Sequence, residues 1–205
     1  MKQLTKSQLY STMTGKLEGI LAVNSNPLTN DFCQSMCKNP KAICSQCYSQ
    51  AMLKGVRSNC VPKFERVGSL LSTTVLESRD LPKAIKEEYA RFSAHGELIN
   101  EQHLLNYIMI ANHNPKTRWA LWTKRKDIIA KYKKFIPKNV VLVYSNPFID
   151  KPMEAPVGFN KVFSVFTQKY AKVNKIKINC GAKDCLTCLK CYKTNKITVV
   201  SELLK

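Results

Sequence analysis

Apolar positions fall along this chain in two alternating patterns. Continuous or period-two runs of β-branched and aromatic residues predict strands at Gly19–Val23, Tyr89–Ser93, Arg118–Thr123, Val140–Ser145 and Lys161–Thr167. Lys175–Asn179 (KIKIN) alternates and reads as another strand, and Lys196–Leu204 as one more strand or a docking segment. Between these runs the spacing turns helical. Val61, Phe64, Val67, Leu70, Leu71 and Val75 mark one helix. Glu101–Ala111 marks a second, stopped by Asn114-Pro115, and Asp127–Phe135 a short basic third. Val140–Ser145 (VVLVYS) is apolar without interruption until its end, as expected of a strand covered on both faces.

Strand, helix, strand, helix implies parallel strands joined by crossovers. A closed eightfold barrel takes about 250 residues, and the chain has 205. The expected fold is therefore a single α/β domain over residues 1–205, an open or partial (β/α) barrel of about six mainly parallel strands. Residues 146–159 carry three prolines where this scheme wants a helix. Ligand sites in such folds lie beyond the carboxyl ends of the strands. That would bring His95-Gly96-Glu97, Thr123-Lys124-Arg125, Ser145-Asn146 and two cysteine-rich loops, 33–47 and 180–192, to one rim.

Eight of the nine cysteines belong to those loops: Cys33, Cys37, Cys44 and Cys47 in the first, Cys180, Cys185, Cys188 and Cys191 in the second. Four thiolates fill a tetrahedral zinc ion or the four irons of a cubane cluster. A disulfide framework is the rival reading. The odd total, the polar first 16 residues and the Cys-x-x-Cys spacing favour a reduced, cytoplasmic metal protein instead. Cys185, Cys188 and Cys191 repeat at the spacing of cubane ferredoxins, more thiolates than a zinc knuckle uses, so iron–sulfur is preferred over zinc there. The first loop, with spacings of three, six and two, can be read as a zinc knuckle pair, and iron–sulfur is preferred there too, by less. Cys60 reads as a small buried hydrophobe.

Charge adds a possible partner. The net charge is +19, and it is uneven. Residues 1–115 hold 13 Lys/Arg against 9 Asp/Glu, and residues 116–205 hold 20 against 5. A basic C-terminal half attracts nucleic acid or another polyanion, or is simply a lysine-rich solvated surface. No apolar stretch reaches the 18 residues of a membrane span.

Cys33-x3-Cys37 after an early strand resembles the start of the radical-SAM cluster loop, and His95-Gly96-Glu97 resembles the Gly-Gly-Glu turn of those enzymes. The wider order is similar to phage proteins of the gene-product-eighty-eight type. It comprises Cys47-Tyr48, Gly96-Glu97, then Pro115, Trp119, Trp122, Thr123 and Lys124, and the closing Cys180–Cys191 run. The resemblance spans about residues 19–192. It implies a radical-SAM-like partial barrel with two four-iron clusters (4Fe-4S) and no particular reaction. By that resemblance His95, Gly96 and Glu97 would meet S-adenosylmethionine, and Glu97 and Lys124 would serve catalysis. The six residues between Cys37 and Cys44 depart from the radical-SAM spacing, and a fourth nearby thiolate would cap the iron that S-adenosylmethionine needs.

Plainer roles stand beside these. Glu97 could be a helix N-terminal acid, His95 a surface or capping residue, and Thr123-Lys124-Arg125 either a phosphate or carboxylate cradle or a solvated edge. His103 and His113 read as ordinary helix residues. Trp119 and Trp122, three apart on a strand, face opposite sides, one in the core and one near the rim. Three functions follow: a redox or radical enzyme, a nucleic-acid-binding protein with structural metal sites, and a zinc protein that targets a host partner.

Overall fold

The computed structural model describes residues 2–204. Seven strands form one open sheet, β1 (Ser11–Thr12), β2 (Leu21–Val23), β3 (Tyr89–Phe92), β4 (Arg118–Thr123), β5 (Val140–Ser145), β6 (Lys161–Phe166) and β7 (Val199–Leu203), lying in sequence order. β2 to β7 run parallel, and the short edge strand β1 pairs antiparallel with β2. The expected α/β class and mainly parallel sheet are present, and the sheet does not close. No helix among the described residues is long and apolar enough to cross a membrane.

The helices are α1 (Lys6–Leu9), α2 (Asp31–Cys37), α3 (Tyr48–Lys54), α4 (Val61–Thr73), α5 (Glu101–His113), α6 (Lys126–Tyr132), α7 (Gln168–Val173) and α8 (Cys185–Cys188). Sequence-ordered parallel strands with right-handed crossovers send successive helices to the same face. Accordingly, α4, α5 and α6 share one core with alternate sheet residues: Val67, Leu71, Leu104, Ile110 and Ile128 against Val23, Phe92, Trp119, Leu121 and Leu142. Phe92 is its hinge, stacked on Tyr107 at 4.1 Å and on Trp119 at 4.2 Å. Asn106, buried in α5, ties the end of α4 by donating to the Leu71 and Thr74 carbonyls and accepting from the Leu76 N–H.

The intervening strand residues point to the other face. Val141, Val143, Phe163, Val165 and Val200 form one apolar cluster there, and Ile20 and Ala120 lie in a second with Tyr192. Trp119 and Trp122 do face opposite sides. Trp119 is in the helix-side core, while Trp122 packs on Phe163 across this second face.

One strand expectation needs correction, and one crossover has no helix. Lys175–Asn179 is not a strand, because its first residues finish α7. Lys175 adopts a φ of 52°, and the Ile176 N–H returns to the Ala171 carbonyl, a left-handed helix stop. Only Asn179 and Cys180 reach the free edge of β7. Both donate N–H to the Ser201 carbonyl, and the Asn179 amide pairs with Ser201 N–H and the Val199 carbonyl in place of backbone. The proline-rich residues 146–159 run as irregular chain held by side chains. Asn146 bonds Lys151, Ser164 and Phe148, and Asp150 accepts from the Thr167 N–H at 2.7 Å and its hydroxyl at 2.8 Å.

His103 is fully buried in α5, stacked edge-on against Tyr107, and burial lowers its pKa from 6.5 to about 3. Between those values the unfolded chain binds a proton that the fold refuses. His103 therefore contributes stability above pH 6.5 that is lost as pH falls, at up to about 1.4 kcal/mol per unit. His95, lowered to about 4, acts with the same sign. Urea titrations at pH 7 and pH 5 should show His103→Phe losing about 1–2 kcal/mol less than the unsubstituted chain over that interval. Equal losses would show that His103 is not a source of the acid slope.

Candidate metal centres

The first centre begins at the carboxyl end of β2, where Asn24, Ser25 and Asn26 are buried instead of turning into solvent. They interlock with the turn after β3. Asn24 Oδ1 accepts the His95 N–H at 2.9 Å, the Ser25 N–H donates to the His95 carbonyl at 3.2 Å, and Ser25 Oγ donates to the Glu97 carbonyl at 3.1 Å. Asn30 completes the lock. Its Nδ2 donates to the Glu97 carbonyl, and its Oδ1 caps α2 through the Cys33 N–H. The lock thus sets the start of α2, on which Cys33 and Cys37 stand one turn apart on one face.

Cys44 sits in a 3-10 turn, Ile43–Gln46, and Cys47 enters α3. This stretch is pinned across the rim by the Ile43 N–H on the Pro147 carbonyl at 2.7 Å and by a bridge between Ala42 and Phe148. Gln50 Nε2 donates to Cys37 Sγ at 3.1 Å. The four sulfurs bear on one another. Burial first, and neighbouring thiols after it, push Cys37 up to about 11. Burial, with Glu97 next, raises Cys33 well above the ordinary thiol range, and burial raises Cys44, while Lys124 pulls both back down.

The rim residues have settled places. Glu97 is 5% exposed, and its carboxylate accepts the Leu98 and Lys124 N–H groups, each at 2.8 Å. It is no helix N-terminal acid, since α5 starts at Glu101. Burial raises its pKa and Lys124 opposes that. Lys124 Nζ donates to Ser145 Oγ at 2.8 Å. His95, expected at the surface, is buried. It shares a 2.7 Å hydrogen bond with Ser49, packs against Phe64, and is lowered to about 4 by burial and by Arg91 and Arg57. Arg125 straps the rim by clasping Asp127 and the Leu98 and Ile99 carbonyls. Beside it a polar cleft of about 640 Å³ opens, lined by Asn30, Phe32, Glu65, Ser69, Arg125 and Asp127. Cys60 is half-buried at the start of α4, its thiol directed to Asn59.

The second centre is not where the sequence puts it. Cys180 to Cys191 do not follow a strand to the same rim; they lie across the sheet face opposite the helices. Cys180 and Cys191 pack with Trp122 and Val143, and Cys185 and Cys191 pack with Ile20, Ala120 and Tyr192. The segment reaches the strand starts. Tyr192 stands edge-on to Tyr89 at 5.9 Å, and Gly19 approaches Leu186 so closely that an added Cβ would sit 2.7 Å from it. The cause is the sheet itself. Its second face is apolar and receives none of the crossover helices α4, α5 and α6, and this segment is the chain that covers it. Within the segment, Asp184 caps α8 by accepting the Thr187 N–H. Burial is the first cause raising Cys180 and Cys185, and it pushes Cys191 up to about 12, with Arg91 pulling Cys185 and Cys191 back.

No protein-family model, curated protein or solved structure matches this chain. The fit of a metal is therefore judged from the donors alone. Among the described residues no three His, Cys, Asp or Glu side chains close on one point that could hold a metal ion. What the fold does supply is two thiol quartets in half-buried settings, each with cations beside it. Lys124 serves the first. Arg91, Lys16 and Lys161 bear on the second, and Lys161 is 1% exposed at the start of β6. Buried Arg91 Nε and Trp122 Nε1, grouped at the second quartet, have no hydrogen-bond partner among the described residues, and Tyr192 Oη has none but the Arg91 guanidinium. Orphaned donors next to sulfur suit a sulfur-rich anion. The sequence reading passed over Asn24, Ser25, Asn26, Arg91, Lys161 and Tyr192. The visible signs were a polar triplet straight after a strand and an arginine inside an apolar one.

Gly96 decides whether the rim lock can form. Its φ is +81°, and a Cβ there would fall 2.2 Å from Ser25 Oγ and 2.4 Å from the Ser25 carbonyl. Gly96→Ala should destabilise the chain by about 2 kcal/mol or more and loosen α2, read as a lower urea midpoint and faster thiol labelling of Cys33. An unchanged midpoint would mean that the two turns are not locked together.

Proposed function

We propose that this chain is an iron–sulfur protein on a partial (β/α)-barrel scaffold of radical-SAM-like type, akin to phage proteins of the gene-product-eighty-eight kind. It would work in the cytoplasm of a host cell. The observation that carries the reading is the pairing of each cysteine quartet with its own cations. Burial holds Cys33, Cys37 and Cys44 of the first quartet, and Cys180, Cys185 and Cys191 of the second, above the ordinary thiol range. A metal ligates thiolate, so ligand protons must leave on binding, and cations beside the quartets lower the cost of that step.

The two centres would have different work. The first stands at the carboxyl ends of the strands, beside the polar cleft, where substrates of such folds bind. A four-iron cluster there would supply single electrons, and S-adenosylmethionine would be admitted only if one of the four cysteines leaves an iron open. Lys124, on the rim beside Cys33 and Cys44, would hold a carboxylate or phosphate of the bound molecule. Glu97 already uses its carboxylate on two backbone N–H groups, so its part would be to position Lys124. The second centre, covered by the sheet, would be a fixed electron carrier or staple.

A second reading rests on the basic C-terminal half, which would bind nucleic acid with both metal sites structural. A steep loss of RNA or DNA binding with salt would favour it.

Anaerobic metal and acid-labile sulfide analysis of protein made with an iron supply is the direct test. About eight iron atoms and as many sulfides per chain are expected, with roughly half lost in Cys33→Ala and half in Cys188→Ala. Stoichiometric zinc without sulfide, or thiols bonded to each other, would overturn the reading.

A further inference from the structure

We propose that Arg91, Trp122 and Tyr192 form a donor cage over the second cysteine quartet, and that Arg91 sets the reduction potential of the cluster held there. The proposal rests on the iron–sulfur reading and deepens it.

Arg91 is an odd residue for its place. It lies in the middle of β3, between the core residues Ala90 and Phe92, and its side chain points to the face away from the helices. Its guanidinium lies over the Trp122 ring at 4.2 Å. Trp122 is held in turn by Phe163 at 4.4 Å, which fixes the stack against the sheet. Among the described residues Arg91 forms no ion pair, and its buried Nε has no acceptor. The indole N–H of Trp122 is buried and unpartnered as well, and the hydroxyl of Tyr192, itself 2% exposed, has no partner but the Arg91 guanidinium it faces.

A half-buried cation with no anion and buried donors with no acceptor are each costly. Here all three cluster at the same packed group, which includes Cys185 and Cys191. The missing partner is an anion with several acceptors on that face. Cluster sulfides and cysteine thiolates are such acceptors, and hydrogen bonds and net charge at the sulfurs are what set a cluster's potential. Lys16 does not fill this role, because it is ion-paired with Glu202 at 2.8 Å. Lys161 does not either, since its Nζ is directed to Asn195 Oδ1 and the Ile197 carbonyl.

The sign follows from charge. Reduction adds one electron to the cluster, and a fixed cation nearby stabilises the reduced form more than the oxidised one. Removing it lowers the potential.

The test is an EPR-monitored redox titration of the full, iron-loaded chain, with iron and sulfide measured in every sample. The signal that survives Cys33→Ala belongs to the second centre. In Arg91→Gln that signal should need a potential lower by about 59 mV, a tenfold shift in its reduced-to-oxidised ratio for a one-electron couple. The first centre's signal should stay in place. Arg91→Lys should recover most of the shift. Trp122→Phe keeps the ring but loses the N–H, and should move the same signal the same way by less. It carries the test should Arg91→Gln fail to fold. A loaded second centre with an unchanged potential in both Arg91→Gln and Trp122→Phe would overturn the cage. Absence of iron and sulfide from the unsubstituted protein would instead overturn the reading beneath it.

Discussion

Everything in this molecule turns on a one-sided sheet. Strands laid in sequence order, each crossing over in the same hand, send their helices to one face and leave the other uncovered. A closed barrel hides that second face in its own interior. This sheet stays open, yet its second face is still built of Val141, Val143, Phe163, Val165 and Val200. Burying such residues is worth about 25 cal/mol per Å² of apolar surface. Something has to lie over them, and the chain has only irregular segments left.

Chief among those segments is the C-terminal cysteine loop, with Ile43 of the rim loop reaching the same cluster. The regular structure of the two loops is slight: the end of α2 and a 3-10 turn at Ile43–Gln46 in the first, and the four residues of α8 in the C-terminal one. Their apolar contacts with that face are few, chiefly Ile43, Leu189 and Tyr192. Segments so poor in internal hydrogen bonds and packing need a cross-link to hold one shape, as small cores do. We read the eight cysteines as that cross-link. The same residues that make the cover marginal without metal would make it rigid with it, since binding free energy at such sites is folding free energy. On that reading function would sit where the fold has an unmet need, at the rim above the strands and on the face that the crossover helices leave uncovered.

The architecture was largely readable in the residues. VVLVYS and RWALWT are strands almost to the residue, and the apolar spacing of α4 and α5 placed both helices, because their burial patterns are strongly periodic. What failed was KIKIN. Its alternation has strand period, but a left-handed Lys175 used it to end α7, a six-residue helix too short to show a period of its own. The cysteine quartets were legible as groups and not as places. The C-terminal quartet was expected beyond a strand end, and it lies instead on the open face, because which surface needs covering is a property of the whole sheet. Arg91 was hidden for the same reason. An arginine within YARF gives no sign of its surroundings, and β3 is in the middle of the sheet with that side roofed over.

Iron-edge X-ray absorption on anaerobically purified protein tests the central claim most directly, since it reads the atoms around the metal in the intact chain. The account predicts a first shell of sulfur together with a short iron–iron distance, in both the unsubstituted protein and the variants that keep a single quartet. A zinc edge with four sulfur neighbours and no metal–metal distance, or no metal edge at all, would contradict it.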